Sequence, residues 1–248
     1  MIVRSEADLA ALHRVGRIVA RVLARMLDAL EPGMTTAELD VIGARLLARA
    51  GVRSAPQLAY GFPGATCISV NEETAHGIPG RRVIRRGDVV NVDVSAELDG
   101  YYADTGGTRV VPPSTGAKDA LCAATREALD AALAVARDGA RIAGIGRAIE
   151  TVAKARGLRV IENLGSHGTG RHLHEAPGFI AGYFDPRDRR RLQAGMVITI
   201  EPFLSTRSRR LRLAGDGWTL RGLPGNLSAQ YEHTIVITRD APLILTRA

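Results

Sequence analysis

The sequence predicts an α+β fold made of two copies of a helix, helix, strand unit related by a pseudo-twofold. Three observations predict it. Each half opens with two amphipathic helices separated by a break, at Pro32-Gly33 and again at Asp138-Gly139. Gly33 and Gly87 stand almost as far apart as Gly139 and Gly195. Finally, Gly87 opens "GDVVNVD" and Gly195 opens "GMVITIE", so in both an acid follows six positions later at the end of an aliphatic strand. Neither half has a linker that would set it apart. The 248 residues are therefore expected to form one domain, 1–248, with an internal repeat of roughly 1–112 and 113–248.

Residues 7–30 place Leu12, Val15, Val19, Val22, Met26 and Leu30 on one stripe, with arginines between them, which predicts a packed amphipathic helix. Thr35 and Glu38 spell a capping box that opens a second helix, running to about Ala50 and closed by Gly51. Strands are expected at 65–70, 88–95 and 101–111. In the second of these, Val90, Val92 and Val94 alternate with Asn91, Asp93 and Ser95, the period of a half-buried strand. Asp99-Gly100 reads as a two-residue hairpin turn. It pairs Leu98 with Tyr101 and sets Ser95 opposite Asp104, leaving Asp93 as the diagonal neighbour of Asp104 on one face. The second half predicts helices at 116–137 and 142–156, the latter closed by Gly157, then strands at 158–161, 196–201 and 231–238.

Composition narrows the class. A chain 46% hydrophobic and 24% charged is ordinary for a globular protein, and no apolar stretch reaches the roughly 18 residues of a membrane span. The N-terminus lacks the pattern of a signal peptide, and two cysteines, Cys67 and Cys122, make no disulfide framework. A cytoplasmic protein is expected, with neither membrane nor DNA as partner. The net charge of +7 is carried almost wholly by arginine. Arg189–Arg191 and Arg207–Arg212 read most simply as solvated basic loops, the alternative being contact with RNA or an acidic partner.

Four acids sit in unusually apolar company: Asp93, Asp104, Glu201 in "ITIEPF" and Glu232 in "QYEHTIVIT". One such acid is ordinarily a strand-end residue, exposed or paired with arginine. Four clustered carboxylates cannot all ionise in a low-dielectric site without a counter-charge, and arginine is scarce in these strands. Two divalent cations would neutralise them. His167 and His174 lie in the glycine-rich "SHGTGRHLHEAP" and His76 in "AHGIPG", where glycines let the backbone approach a site closely. His13 and His233 read as ordinary histidines, and His172 is left open. Four carboxylates with one imidazole suit paired manganese, iron or cobalt better than structural zinc. Two such ions about 3.5–4 Å apart can share a bridging water and make it hydroxide near neutral pH, which points to hydrolysis of a peptide or related amide. No Walker motif, G-x-S-x-G, H-E-x-x-H or C-x-x-C offers another chemistry.

Six blocks in order, "CISVNEETAHGIP", "NVDV", "DGYYADTGGT", "SHGTGRHLHEAP", "TIEP" and "LSAQYEHTIVIT", resemble the signature segments of type I methionine aminopeptidases along essentially the whole chain. The resemblance implies the bacterial short form and the pita-bread fold with its central curved antiparallel sheet. It also implies that Asp93, Asp104, His167, Glu201 and Glu232 are the ligands of two divalent metal ions, with Asp104 and Glu232 bridging. Glu201 would double as general base, His76 would meet the substrate amide nitrogen, and His174 the scissile carbonyl oxygen. Phe62, Cys67, His76 and Trp218 fall where methionine-pocket residues are expected.

Several positions depart from the family's usual pattern. Ala59 and Leu173 stand where aromatics are common, and Ser166, Thr169 and Ala176 also differ. The implied activity is removal of N-terminal methionine from nascent proteins and peptides, preferring a small second residue. A cytoplasmic monomer is expected, and the basic surface offers a hypothesis of transient docking on the ribosome near emerging chains. The alternatives are a specialised paralogue with altered specificity, an X-Pro aminopeptidase-like hydrolase, or a non-catalytic pita-bread protein. The last of these typically loses metal ligands, and all five are present here.

Overall fold

The computed structural model describes residues 1–247. Its first helix, α1, spans Glu6–Asp28, with Ser5 as N-cap accepting from the Asp8 amide. The predicted stripe, Leu12, Val15, Val19, Val22 and Met26, is its buried face, and Leu30 is buried just beyond its end. Helix α2, Thr36–Arg49, begins at the predicted capping box: Thr35 accepts from the Glu38 amide and the Glu38 carboxylate accepts from the Thr35 amide. A short helix α3, Ala55–Tyr60, was not legible in the sequence, because six residues are too few to show a helical period. Helices α4, Gly116–Val135, and α5, Ala143–Ala155, open the second half as expected. No helix among the described residues is long and apolar enough to cross a membrane.

Strand Val89–Leu98 pairs along one edge with Tyr101–Val110 and along the other with Cys67–Val70 and Arg53–Ser54. The hairpin register is the predicted one, with Leu98 facing Tyr101 and Ser95 facing Asp104. Asp99 and Gly100 both take positive φ, 52° and 79°, the conformation a two-residue turn of this hand demands. Alternation then sorts the side chains. Val90, Val92 and Val94 pack under α1 and α2, in a core shared with Val15, Val19 and Leu39, while Asn91, Asp93 and Ser95 point to the other face.

In the second half, a five-stranded antiparallel sheet runs Leu243–Ile244, His233–Val236, Val197–Ile200, Gly165–Gly168, Glu175–Ala181. Ile198, Ile200 and Ile235 pack with Leu121, Ala128, Ile145 and Ile149 of α4 and α5 in a second core. Two three-stranded ribbons complete the strands. Ser228–Gln230, Phe203–Ser205 and Arg159–Val160 form one, and Arg212–Leu213, Leu220–Arg221 and Glu73–Ala75 the other.

The four glycines of the repeated spacing make matching backbone hydrogen bonds. The Gly33 amide donates to the Ile84 carbonyl as that of Gly139 donates to Leu192. The Gly87 amide donates to Val111 as that of Gly195 donates to Ile237. Where the halves meet, threonine hydroxyls supplement the backbone ladder. The Thr234 hydroxyl accepts from the Asp104 amide at 2.9 Å and donates to the Asp104 carbonyl at 2.7 Å. The Thr108 hydroxyl does the same for Gln230, at 3.0 and 2.9 Å. Between them the Glu232 amide donates to the Gly106 carbonyl at 3.0 Å. This seam carries Asp104 and Glu232 on adjoining strand segments from opposite halves of the chain.

Candidate metal centre

Each acid is placed by strand parity. Asp93 and Asp104 project from the hairpin on the face turned away from α1, and Cys67 lies directly opposite Asp93 in the ladder. Glu201 follows strand Val197–Ile200 and Glu232 precedes His233–Val236, two neighbouring strands whose register sets His233 against Ile200. The buried strand Gly165–Gly168 presents His167 to the same place. Asp104, His167 and Glu232 each offer a ligand atom within 4.8 Å of the others. His167 Nε2 lies 3.4 Å from Glu201 Oε1 and 3.9 Å from Asp104 Oδ2. All but Asp93 of these five are buried.

The electrostatics are those of a site short of positive charge. Burial first, and then the charges of Asp104 and Glu201, push the Asp93 carboxyl well above the usual carboxylate range. Glu201 and Glu232 are pushed up by burial and by Asp104, and burial raises Asp104 to about 6. Among the described residues no arginine or lysine pairs with any of the four. Asp104 Oδ1 and Glu232 Oε1 are buried without a hydrogen-bond partner, although such atoms are ordinarily satisfied. His167 is driven the other way, to about 3, by burial and the nearby His174 ring, so it is neutral. Its Nδ1 lies 3.0 Å from the Gly168 carbonyl, which only accepts. The ring proton is therefore on Nδ1, and the Nε2 lone pair faces the carboxylates, as a metal-ligating histidine requires. Orphaned hard oxygens beside a neutral imidazole fit divalent cations.

Sequence reasoning missed the residues that hold the acids, though a signal existed two positions upstream, on the same strand face. The Thr199 hydroxyl donates to Glu201 Oε1 at 2.9 Å and accepts the His167 amide at 3.1 Å. Gln230 Nε2 donates to Glu232 Oε2 at 3.0 Å, and its Oε1 accepts from Asn91 Nδ2 at 2.8 Å. Buried polar residues at 91, 199 and 230 thus stand two before Asp93, Glu201 and Glu232.

A cavity of about 250 Å³ opens onto Asp93, Asp104, His167 and Glu201, and its wall includes the expected Phe62, Cys67, His76, His174 and Trp218. Glu232 is not part of that wall; it lies behind it, in the buried seam. Phe62 and Trp218 meet edge to face with centroids 5.2 Å apart, and the buried Leu173 lines the same cavity. The Cys67 thiol is pushed up by burial and by Asp93, so it is a protonated wall residue and not a nucleophile. His76 stands at φ 54°, an uncommon conformation for a non-glycine residue, which carries its ring to the cavity. Enclosure there and the nearby His174 hold His76 down at about 4. The Tyr60 hydroxyl lies 2.7 Å from His174 Nδ1, a contact the sequence did not announce. His172, left open above, is exposed and serves its loop through its carbonyl, which accepts from Gly170 and Thr169.

A carboxylate and imidazole cage at the floor of an apolar-walled cavity defines a metal-dependent hydrolase of the pita-bread fold. The chain belongs to metallopeptidase family M24, whose sequence pattern matches residues 10–239. It is 46% identical over 248 residues to a Bacillus subtilis protein named methionine aminopeptidase 2, covering the whole of both chains. It is similar in structure to the methionine aminopeptidase of Thermotoga maritima, with a TM-score of 0.95, 33% identity and full coverage of both chains. The prolidase of Pyrococcus furiosus shares the fold, with a TM-score of 0.80 at 22% identity over 66% of its own length.

Proposed function

We propose that this chain is a methionine aminopeptidase that removes N-terminal methionine from nascent proteins and peptides and prefers a small second residue. The observation that carries this reading is the pair of orphaned oxygens, Asp104 Oδ1 and Glu232 Oε1, beside the neutral His167 under a cavity walled by Phe62 and Trp218. In this reading 1–248 acts as one catalytic unit, halves 1–112 and 113–248 each giving ligands. Asp93, Asp104, His167, Glu201 and Glu232 would hold two divalent ions, cobalt, manganese or iron. Such ions, when bound, supply Lewis acidity and a water acidic enough to attack at neutral pH.

The chain's own residues supply the rest. Glu201 takes up a proton on its carboxylate, whose affinity for one is raised by burial. His174 donates to the scissile carbonyl oxygen as charge develops there. His76 meets the amide nitrogen. Phe62, Trp218 and Cys67 enclose the methionine side chain, whose polarisable sulfur packs well on aromatic edges.

The protein would act in the cytoplasm as a monomer. Arg210 and Arg212 are exposed and form no ion pair among the described residues, whereas Arg209 is paired with Glu162. That basic run and Arg189–Arg191 would support transient ribosome contact, and co-sedimentation unaffected by charge reversal there would remove its basis.

The deciding experiment is an assay of the metal-reconstituted protein on Met-Ala and Met-Gly peptides beside non-methionyl ones. Methionyl peptides should be cleaved at the first bond only. Preference for another N-terminal residue would overturn the reading in favour of a specialised paralogue.

A further inference from the structure

We propose that Tyr60 is a positioning residue for His174, its hydroxyl donating to Nδ1 so that the imidazole proton sits on Nε2. The inference rests on the reading of His174 as the group that meets the scissile carbonyl oxygen. The oxygen to nitrogen distance is 2.7 Å, and the two rings lie 5.6 Å apart at a 50° tilt. Tyr60 is the last residue of α3 and His174 immediately precedes strand Glu175–Ala181, so the bond ties the first half of the chain to the second beside the cavity. It is the only hydrogen bond to either His174 ring nitrogen among the described residues.

Two arguments set its direction. A phenol O–H is the more acidic donor and an imidazole nitrogen the more basic acceptor, so the proton belongs between them on the oxygen. The opposite tautomer would leave only a lone pair on Nε2, the ring nitrogen not bound by Tyr60 in the cavity that His174 lines, with no proton there to donate. A group that is to receive charge developing on a carbonyl oxygen must donate, and which imidazole nitrogen carries the proton is set by what the other one binds. The segment "AYGFP" then has two duties: Phe62 walls the pocket, and Tyr60, two residues earlier, orients the histidine beside it.

Tyr60→Phe tests this, since it keeps the ring and removes only the donor. Tyr60 is 50% exposed, so thermal unfolding should be unchanged. On a Met-Ala peptide kcat should fall roughly tenfold with KM nearly constant, a fraction of the roughly 10²–10⁴-fold contributed by a positioned acid. The second readout is ring-nitrogen NMR of the full, metal-free chain at a pH where His174 is neutral, with His174→Gln assigning the ring. Wild type should show a protonated Nε2 and a hydrogen-bonded acceptor Nδ1, and Tyr60→Phe should move Nδ1 to the position of a free nitrogen. A proton on Nδ1 in the wild type, or an unchanged kcat in Tyr60→Phe, overturns the proposal. Wild type inactive on methionyl peptides overturns instead the reading on which the role rests, because the NMR result does not depend on turnover.

Discussion

His167 Nε2, from the second half of the chain, stands 3.9 Å from Asp104 Oδ2, from the first. Neither half holds the site alone. If these are metal ligands, Asp104→Asn should weaken metal binding by more than the roughly 10–100-fold that loss of an outer-shell partner costs, and turnover should collapse with it. His174→Ala should also collapse turnover but leave metal affinity near that of wild type. Calorimetric titration with manganese separates the two, and full activity in either variant would break the mechanism.

Gln230 supports Glu232, and Gly106 is what lets it do so. A Cβ at Gly106 would lie 2.2 Å from Gln230 Oε1 and 2.4 Å from Nε2, inside the buried Asn91–Gln230–Glu232 chain. Gly106→Ala and Gln230→Leu should therefore share a phenotype, about 10–100-fold weaker metal binding or activity. A Gly106→Ala protein that binds metal as wild type does would show that Gln230 can move without consequence.

Without metal, the cage should make the protein less stable as pH rises. Asp93, Glu201 and Glu232 have folded pKa values raised well above the ordinary 3.8 or 4.5, and Asp104 is raised to about 6. At these acids the folded state holds more protons than the unfolded one. His76 and His167, held down at about 4 and 3, hold fewer below the ordinary 6.5. The two groups offset in acid, so the net loss of stability comes above about pH 6.5. The Tm of chelator-treated protein should fall between about pH 6.5 and 8, and added manganese should abolish that fall while releasing protons. A flat profile in the metal-free protein would contradict the clustering.

Glu97 acts in the opposite sense. Its buried carboxylate accepts from Arg53 Nε and the Gly100 amide, both at 2.6 Å, and so ties down the turn that aims Asp93 and Asp104. The Arg53 hydrogen bond, with help from Gly100, lowers its pKa below the ordinary 4.5. This stabilisation is present above about pH 4.5 and lost as pH falls through the lowered value. Glu97→Gln should cost about 1–2 kcal/mol at neutral pH, and the difference in denaturant midpoint should vanish in acid. An equal difference at pH 7 and pH 3 would remove the carboxylate from the account.

What the sequence determined by itself was local or periodic. The α1 stripe, the Thr35–Glu38 capping box, the Asp99-Gly100 turn and the Ser95–Asp104 register all follow from side chains acting within a few residues of one another. The two glycine-spaced acids were legible because the repeat writes the same pattern twice. Helix α3, the ribbon strands other than Arg159–Val160, and the buried strand that carries His167 were not, because they are too short or too glycine-rich to show a period.

Only the tertiary structure decided how the acids are held and which ring nitrogens carry protons. Tyr60 and His174 are 114 residues apart, and Asn91 and Gln230 are 139 apart. No propensity or spacing links such pairs. Tyr60 and His174 meet because the end of α3 lies against the segment before strand Glu175–Ala181. Asn91 and Gln230 meet because the two halves join along a seam of threonine hydroxyls, where burial makes an unpaired polar atom costly.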